Sequence, residues 1–313
     1  MDARCSGSTI LFSVRGQNSL AHENRTIILN QYALLHNELR ECEMNSLQTY
    51  LKEKSVLITG ASQGVGLAIT ETLSSFGMKI GLLARSEEKL IKISARANSA
   101  GSEAFIIKAD LSDRKDVEDA ARKFEEVQGG PPDFLINNAG IGLRGFWKDI
   151  DLDAELKVLS VNYTAPIILT RYFLPAMLQR NRGHIININA FGGMFANPYQ
   201  GAYGASKAAL IFYASSLAYE LEHTNVQISS IIPGAINTDF LNQENYEVFK
   251  NRSDIVSPKV VAKKVLEVIK KPREMVFVGP TWKKIAIKVI NLYPEFFRKI
   301  VEKGNIPPSS TAK

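Results

Sequence analysis

Tyr203 and Lys207 stand four residues apart in the run Tyr203-Gly204-Ala205-Ser206-Lys207. On a helix, residues at i and i+4 share a face. An ammonium beside a phenol favours the tyrosinate and lowers the tyrosine pKa toward neutrality. A phenol tuned in that way donates a proton to a substrate oxygen or takes one from it. Alone, such a pair arises often by chance. It gains meaning from a glycine-rich run far upstream, Thr59-Gly60-Ala61-Ser62-Gln63-Gly64-Val65-Gly66.

That run follows an apolar strand-like segment and opens a helix-like one, which is what a dinucleotide requires. Gly60 permits the tight turn, Gly64 lets backbone approach a pyrophosphate, and Gly66 lets helix pack closely on strand. The helix N-terminus then presents free N–H groups and a positive dipole to the phosphates. The spacing is G-x-x-x-G-x-G rather than G-x-G-x-x-G, so the weight falls on its place after the first strand. Arg85 follows the next strand, at Leu82-Leu83-Ala84-Arg85, where the adenosine ribose should lie. No carboxylate stands there to accept from a ribose 2′-OH, and a guanidinium forks onto a 2′-phosphate, so NADP(H) is favoured over NAD(H).

The elements that must position these groups alternate. Strands are expected at Ser55–Thr59, Lys79–Ala84, Ala104–Lys108, Phe134–Asn137, His184–Asn189 and Val226–Ile232, with a seventh at Met275–Gly279. Helices are expected at Gly66–Phe76, Ser86–Ala100, Asp113–Val127, Asp153–Arg180 and Gly204–His223. Alternating strands and helices imply βαβ units and a doubly wound parallel sheet, an α/β fold. The expected organisation is an N-terminal extension over 1–50, partly helical or disordered, a catalytic domain over 51–280, and a basic amphipathic extension over 281–313. One helix is expected from Ile27 to Leu51.

Composition narrows the function. The chain has 313 residues, 45% hydrophobic and 22% charged, as for an ordinary soluble domain. The two cysteines, Cys5 and Cys42, both precede the main body, which excludes a disulfide scaffold and a cysteine metal site. No two of His22, His36, His184 and His223 have metal-ligand spacing, so no metal is expected. No apolar run is long enough for a spanning helix, and a cytoplasmic location is expected. The net charge of +6 is uneven: residues 257–313 carry 13 Lys and Arg against 4 Asp and Glu, and the rest 25 against 28. The basicity is a property of the tail, so no nucleic-acid partner is expected. Within that tail, Trp282–Lys303 reads as a basic amphipathic helix that could lie peripherally on an anionic membrane.

With these motifs together the sequence resembles the classical short-chain dehydrogenase/reductase family. The likeness runs from about Lys54 to Phe240. It is carried by TGASQGVG at Thr59–Gly66, Asp110-Leu111, NNAG at Asn137–Gly140, Asn162, YGASK at Tyr203–Lys207 and PGAINT at Pro233–Thr238. The resemblance implies a Rossmann-type domain that transfers hydride between a nicotinamide and an alcohol or ketone carbon. It implies that Tyr203 is the general acid/base, that Lys207 holds the nicotinamide ribose and tunes Tyr203, and that Asn162 supports a proton-relaying water. Asp110 and Leu111 would lie by the adenine and Asn138, Ala139 and Gly140 in the cofactor cleft. Pro233, Gly234, Ile236 and Thr238 would contact the nicotinamide end, with Gly60, Ser62, Gln63, Gly64, Val65 and Gly66 around the phosphates. It further implies a homodimer or homotetramer paired through the helices that begin near Asp153 and Tyr203.

One position departs from the family pattern. The serine usual thirteen residues before the tyrosine is Ala190 here. Losing one donor to a substrate oxygen costs about 10²–10³ in rate. Asn189 adjoins it, and its amide would substitute if the chain bulged there. Two readings therefore stand: a reductase of an apolar carbonyl compound such as a 3-oxoacyl, steroid or long-chain ketone, or a weakened NADP(H)-binding sensor or scaffold. Phe146 and Trp147 could line the substrate pocket or pack in the core, and the resemblance places the loop from Thr238 to Tyr246 over the pocket.

Overall fold

The computed structural model describes residues 44–242 and 254–280, with isolated positions at 246, 249, 289, 290, 292, 293, 295 and 298. Helix α1 is described over residues 44–51. The expected helix from Ile27 lies otherwise outside the described residues, as does most of 282–303.

Seven strands form one parallel sheet: β1 Ser55–Thr59, β2 Lys79–Ala84, β3 Glu103–Lys108, β4 Phe134–Asn137, β5 Gly183–Ile188, β6 Val226–Pro233 and β7 Met275–Val278. Their order is β3-β2-β1-β4-β5-β6-β7. Every residue of β1, β4 and β5 is buried, as expected of strands covered on both faces. The helices between them are α2 Gly64–Leu73, α3 Glu87–Ser99, α4 Arg114–Gln128, α5 Leu152–Leu159, α6 Ala165–Gln179, α7 Gly201–Leu221 and α8 Pro258–Lys270. On one face, Phe124 of α4, Phe173 of α6 and Leu217 of α7 pack on Leu57, Leu135 and Ile185 of the sheet. Each such side chain contributes about 1.5–3 kcal/mol by leaving water. On the other, α2 and α8 pack together, with Ile69, Val261 and Val265 fully buried.

The long helix expected from Asp153 to Arg180 is interrupted. Between α5 and α6, Ser160–Thr164 form a π-type turn in which the Ala165 N–H reaches back five residues to the Ser160 carbonyl. Pro166 helps to explain it, because proline has no N–H and denies the Asn162 carbonyl its i+4 donor. The helix expected to start at Gly204 starts at Gly201, and α8, opened by Pro258 after Ser257, falls where no helix was expected.

The order reverses between β1 and β4, since β1 leads leftward to β2 and β4 leads rightward to β5. A crevice forms beyond the carboxyl ends of strands at such a switch point. The glycine run follows β1, and Asn138-Ala139-Gly140 follows β4.

Candidate active site

The two loops at the switch point hold each other. The Thr59 hydroxyl accepts from the backbone N–H groups of Asn138 and Ala139 at 2.9 and 3.0 Å. The Asn138 amide donates to the Thr59 carbonyl at 2.8 Å and to the Gly60 carbonyl at 3.3 Å. Gly60 has φ +65°, and a Cβ there would stand 2.8 Å from the Ala139 Cα. A Cβ on Gly66 would stand 2.2 Å from the Gly60 carbonyl oxygen. Both glycines are therefore demanded by geometry. Gly64, φ +58°, opens α2, so the first N–H groups of that helix are free for a phosphate.

A cavity of about 1340 Å³ runs from this loop across the strand ends. Gly60, Ser62, Gln63, Gly64 and Val65 line it, while Gly66 is packed behind them. At one end Ala84, Arg85 and Lys89 line it together with Asp110 and Leu111. Burial raises the Asp110 pKa, but hydrogen bonds from the Ser112 N–H and hydroxyl and the charges of Arg85 and Lys157 outweigh it and hold the carboxylate ionised. Asn138, Ala139 and Gly140 form the wall below β4, and Pro233, Gly234, Ile236 and Thr238 the wall beyond β6.

At the other end lie Ala190, Tyr203 and Lys207. Tyr203 and Lys207 come from the first two turns of α7, as their spacing predicts. The Lys207 ammonium donates to the Ile188 carbonyl at 3.0 Å. Burial draws its pKa down to about 8. Asn162 lies beneath the cavity in the π-type turn and is fully buried. Its side chain accepts from the Ile141 N–H at 2.8 Å and donates to the Ile141 carbonyl at 2.9 Å and the Ser206 hydroxyl at 3.1 Å. It thus ties the loop after β4 to α7 on the turn between Tyr203 and Lys207.

Three expectations need correction. The Tyr203 hydroxyl is not drawn toward neutrality: burial and, secondarily, the neighbouring Tyr246 phenol hold it well above the ordinary phenol range. The cause is a cover of rings, with Phe240 5.7 Å and Tyr246 6.5 Å from the Tyr203 ring. Phe146 and Trp147 are absent from the described cavity lining; Trp147 is 85% exposed and Phe146 stacks edge-on with Tyr199 at 5.1 Å. Asn189 borders the cavity, but its amide nitrogen and oxygen are shut off from solvent and bond to nothing among the described residues. Ala190 itself is extended, with φ −152° and ψ 151°, and its methyl group supplies no donor.

The glycine cradle at a helix start, the paired loops and a tyrosine–lysine couple at the far end of one cavity fit a dinucleotide. The family model described as short chain dehydrogenase matches residues 54–248. The chain belongs to the short-chain dehydrogenase/reductase family. As a member it is an oxidoreductase with a Rossmann-type fold. Among relatives of this oxidoreductase, a mouse dehydrogenase/reductase SDR family member 7B is 31% identical over 265 residues, covering 81% of this chain and 82% of that one. A ketoacyl reductase, HetN, from Nostoc sp. is 31% identical over 231 residues, covering 74% and 80%. A metagenomic short-chain oxidoreductase solved with NADP superposes with TM-score 0.64 at 32% identity, covering 74% of this chain and 99% of that one. A Burkholderia phymatum family member solved with NAD superposes with TM-score 0.69 at 25% identity, covering 84% and 99%.

Lys89, Phe195, Gln200 and Phe249, none of them expected from the sequence, also line the cavity. Only Lys89 had a local signal, in the first turn of the helix that begins two residues after Arg85.

Proposed function

We propose that this oxidoreductase is an NADPH-dependent reductase of an apolar ketone, such as a 3-oxoacyl or long-chain compound. The observation that carries the reading is one cavity with a glycine cradle and cations at one end and Tyr203 and Lys207 under an aromatic cover at the other. Arg85 and Lys89, both exposed side chains on the adenosine side, support a 2′-phosphate. The substrate end supports an apolar ligand: Phe195, Phe240, Leu241, Tyr246 and Phe249 line it. Among the described lining residues the one guanidinium is Arg85, at the opposite end. The name of the Nostoc relative, a ketoacyl reductase, is consistent with this class.

When bound, the nicotinamide supplies the hydride equivalent. Tyr203, kept protonated by its surroundings, holds the proton that passes to the substrate oxygen. Lys207, in reach of the loop at Gly140, would hold the nicotinamide ribose and favour the tyrosinate left behind. Asn162 fixes the loop and helix on which both depend. Phe240 and Tyr246 exclude water from the phenol. The test is loss of NADPH absorbance over a panel of acetoacetyl thioesters, keto-steroids, retinal and long-chain ketones, with Tyr203→Phe as the inactive control. Turnover abolished by that substitution supports the reading; none across the panel, despite tight NADPH binding, refutes it.

The missing donor at Ala190 favours a second reading, a weakened NADPH-binding sensor or scaffold. Gain of turnover on Ala190→Ser in an otherwise silent protein would support it. We further propose self-association through α7 and peripheral membrane contact through 282–303. Vesicles of anionic lipid that fail to sediment the protein at low salt would exclude the latter.

A further inference from the structure

Ala190 leaves the substrate oxygen with one donor fewer than the family pattern provides. A second tyrosine ring lies against the first all the same. Tyr246 is 3% exposed and lines the same cavity as Ala190 and Tyr203. Its ring meets that of Tyr203 edge-on, 6.5 Å away at 81°. Phe240 closes the triangle, 5.7 Å from Tyr203 and 5.1 Å from Tyr246. The loop after β4 runs past both Lys207 and Tyr246. A Cβ on Gly140 would stand 3.4 Å from the Lys207 ammonium, and one on Gly142, two residues on, 2.8 Å from the Tyr246 hydroxyl. Gly142 carries no side chain, so Tyr246 and Phe240 can lie directly against that loop.

The hydroxyl also has a proton to offer. The Gln200 side chain hydrogen-bonds to it. Its own proton points to the Leu143 carbonyl at 3.4 Å, well beyond the usual O–H···O distance. As negative charge develops on a substrate oxygen between the two phenols, that oxygen becomes a better acceptor than the long-range carbonyl. Burial keeps the phenol protonated, so it remains a donor across the working pH range. Asn189 cannot take this part, with its amide closed off from the cavity.

We propose that Tyr246 is the second hydrogen-bond donor to the substrate oxygen, in place of the serine that Ala190 lacks, and that Gln200 orients it. The proposal rests on the ketone-reductase reading. Tyr203 supplies the proton that is transferred. Tyr246 keeps its own proton and stabilises the charge that develops on oxygen, as preorganised donors do.

The experiment has a kinetic arm and one that needs no turnover. With the full chain and the best ketone of the panel, Tyr246→Phe is expected to lower kcat about 10²–10³-fold with the Kd for NADPH unchanged. Ala190→Ser added to Tyr246→Phe restores at least a tenfold share by supplying a new hydroxyl. In the dead-end complex of NADP⁺ with 2-undecanone, the infrared carbonyl band lies below its position in water-free solvent, and Tyr246→Phe moves it part-way back. Retention of kcat within threefold and an unmoved band in Tyr246→Phe overturn the proposal, while loss of activity in Tyr203→Phe leaves the reductase reading standing. Loss of activity that Ala190→Ser does not rescue, again with an unmoved band, marks packing damage and also overturns it. If the wild type turns over no ketone the reductase reading falls, and the band in the dead-end complex still decides whether Tyr246 holds a carbonyl.

Discussion

Lys207 and Arg85 bring positive charge to the two ends of the cavity. Burial brings the Lys207 pKa to about 8, so its ammonium loses charge as pH rises through that value. Tyr203 is shifted the other way and stays protonated through the same window, so it adds no limb there. The kcat/KM for NADPH oxidation, which reports the free enzyme, should therefore fall above about pH 8, and Lys207→Arg should move that limb out of range. A pH–rate profile of the two proteins checks it. At the adenosine end, a charge-assisted bond is worth about 1.5–3 kcal/mol, or roughly 10–100-fold in affinity. Arg85→Ala should weaken NADPH binding by that factor and NADH binding less than threefold, as titration calorimetry would read. Most of this chemistry was legible in the sequence because it is local. Tyr203 and Lys207 are four residues apart, and the glycines follow a strand directly. The loop after Thr238, which reaches Tyr246, was expected over the pocket, but the pairing of the Tyr246 and Tyr203 rings was not legible, because no spacing or periodicity links two residues 43 positions apart.

Among the elements, the strands were read almost to the residue, since covered parallel strands are short continuous apolar runs. The π-type turn at Ser160–Thr164 was not, because hydrophobic periodicity passes through it unbroken and Pro166 was its sole local mark. The opposite end of the sheet tests whether stability and chemistry separate. There Asp133, 8% exposed, accepts from the Ser55 N–H at 2.9 Å and its hydroxyl at 3.3 Å. Arg182 lies 3.0 Å from it, Arg180 3.8 Å and Lys54 3.9 Å. Asp133→Asn leaves those cations without their anion and should cost about 1–3 kcal/mol in urea unfolding, with the cations' partial exposure softening the loss. Turnover at saturating ketone should stay unchanged, because β4 carries this cluster at its start and the site at its end. His184 on β5 adds a pH term. Burial lowers its pKa to about 3, and its ring bonds to the Ser229 hydroxyl at 2.8 Å. The unfolded chain binds this proton near pH 6.5 and the folded one does not. Stability from this group is full above pH 6.5 and is lost as pH falls toward 3, by about 1.4 kcal/mol per unit at most. Urea midpoints of His184→Gln should be flatter than wild type across that window.

For the whole molecule, helix α7 does two things at once. Its inner face brings Lys207 to β5 and Asn162. Its outer face carries Ala205, Ala208, Phe212 and Tyr219 at helical spacing, with no charge among them. Phe212 is 81% and Tyr219 79% exposed. Beside it α5, which packs on α7, exposes Leu152 and Leu156. Small residues near the N-terminal end and large rings further on would let a second α7 approach closely, and two-fold symmetry would place each ring stripe on its twin. A stable interface needs about 800 Å² from each partner, which two neighbouring helices can supply. Sedimentation velocity at micromolar concentration should give a dimer or larger, and Phe212→Asp with Tyr219→Asp should give a monomer. Because the same helix holds Tyr203 and Lys207, the monomer should also lose turnover more than affinity for NADPH, whose cradle stands on β1 and α2. A monomeric wild type, or a charged variant that stays assembled, would show that α7 faces water and that its rings are surface side chains only.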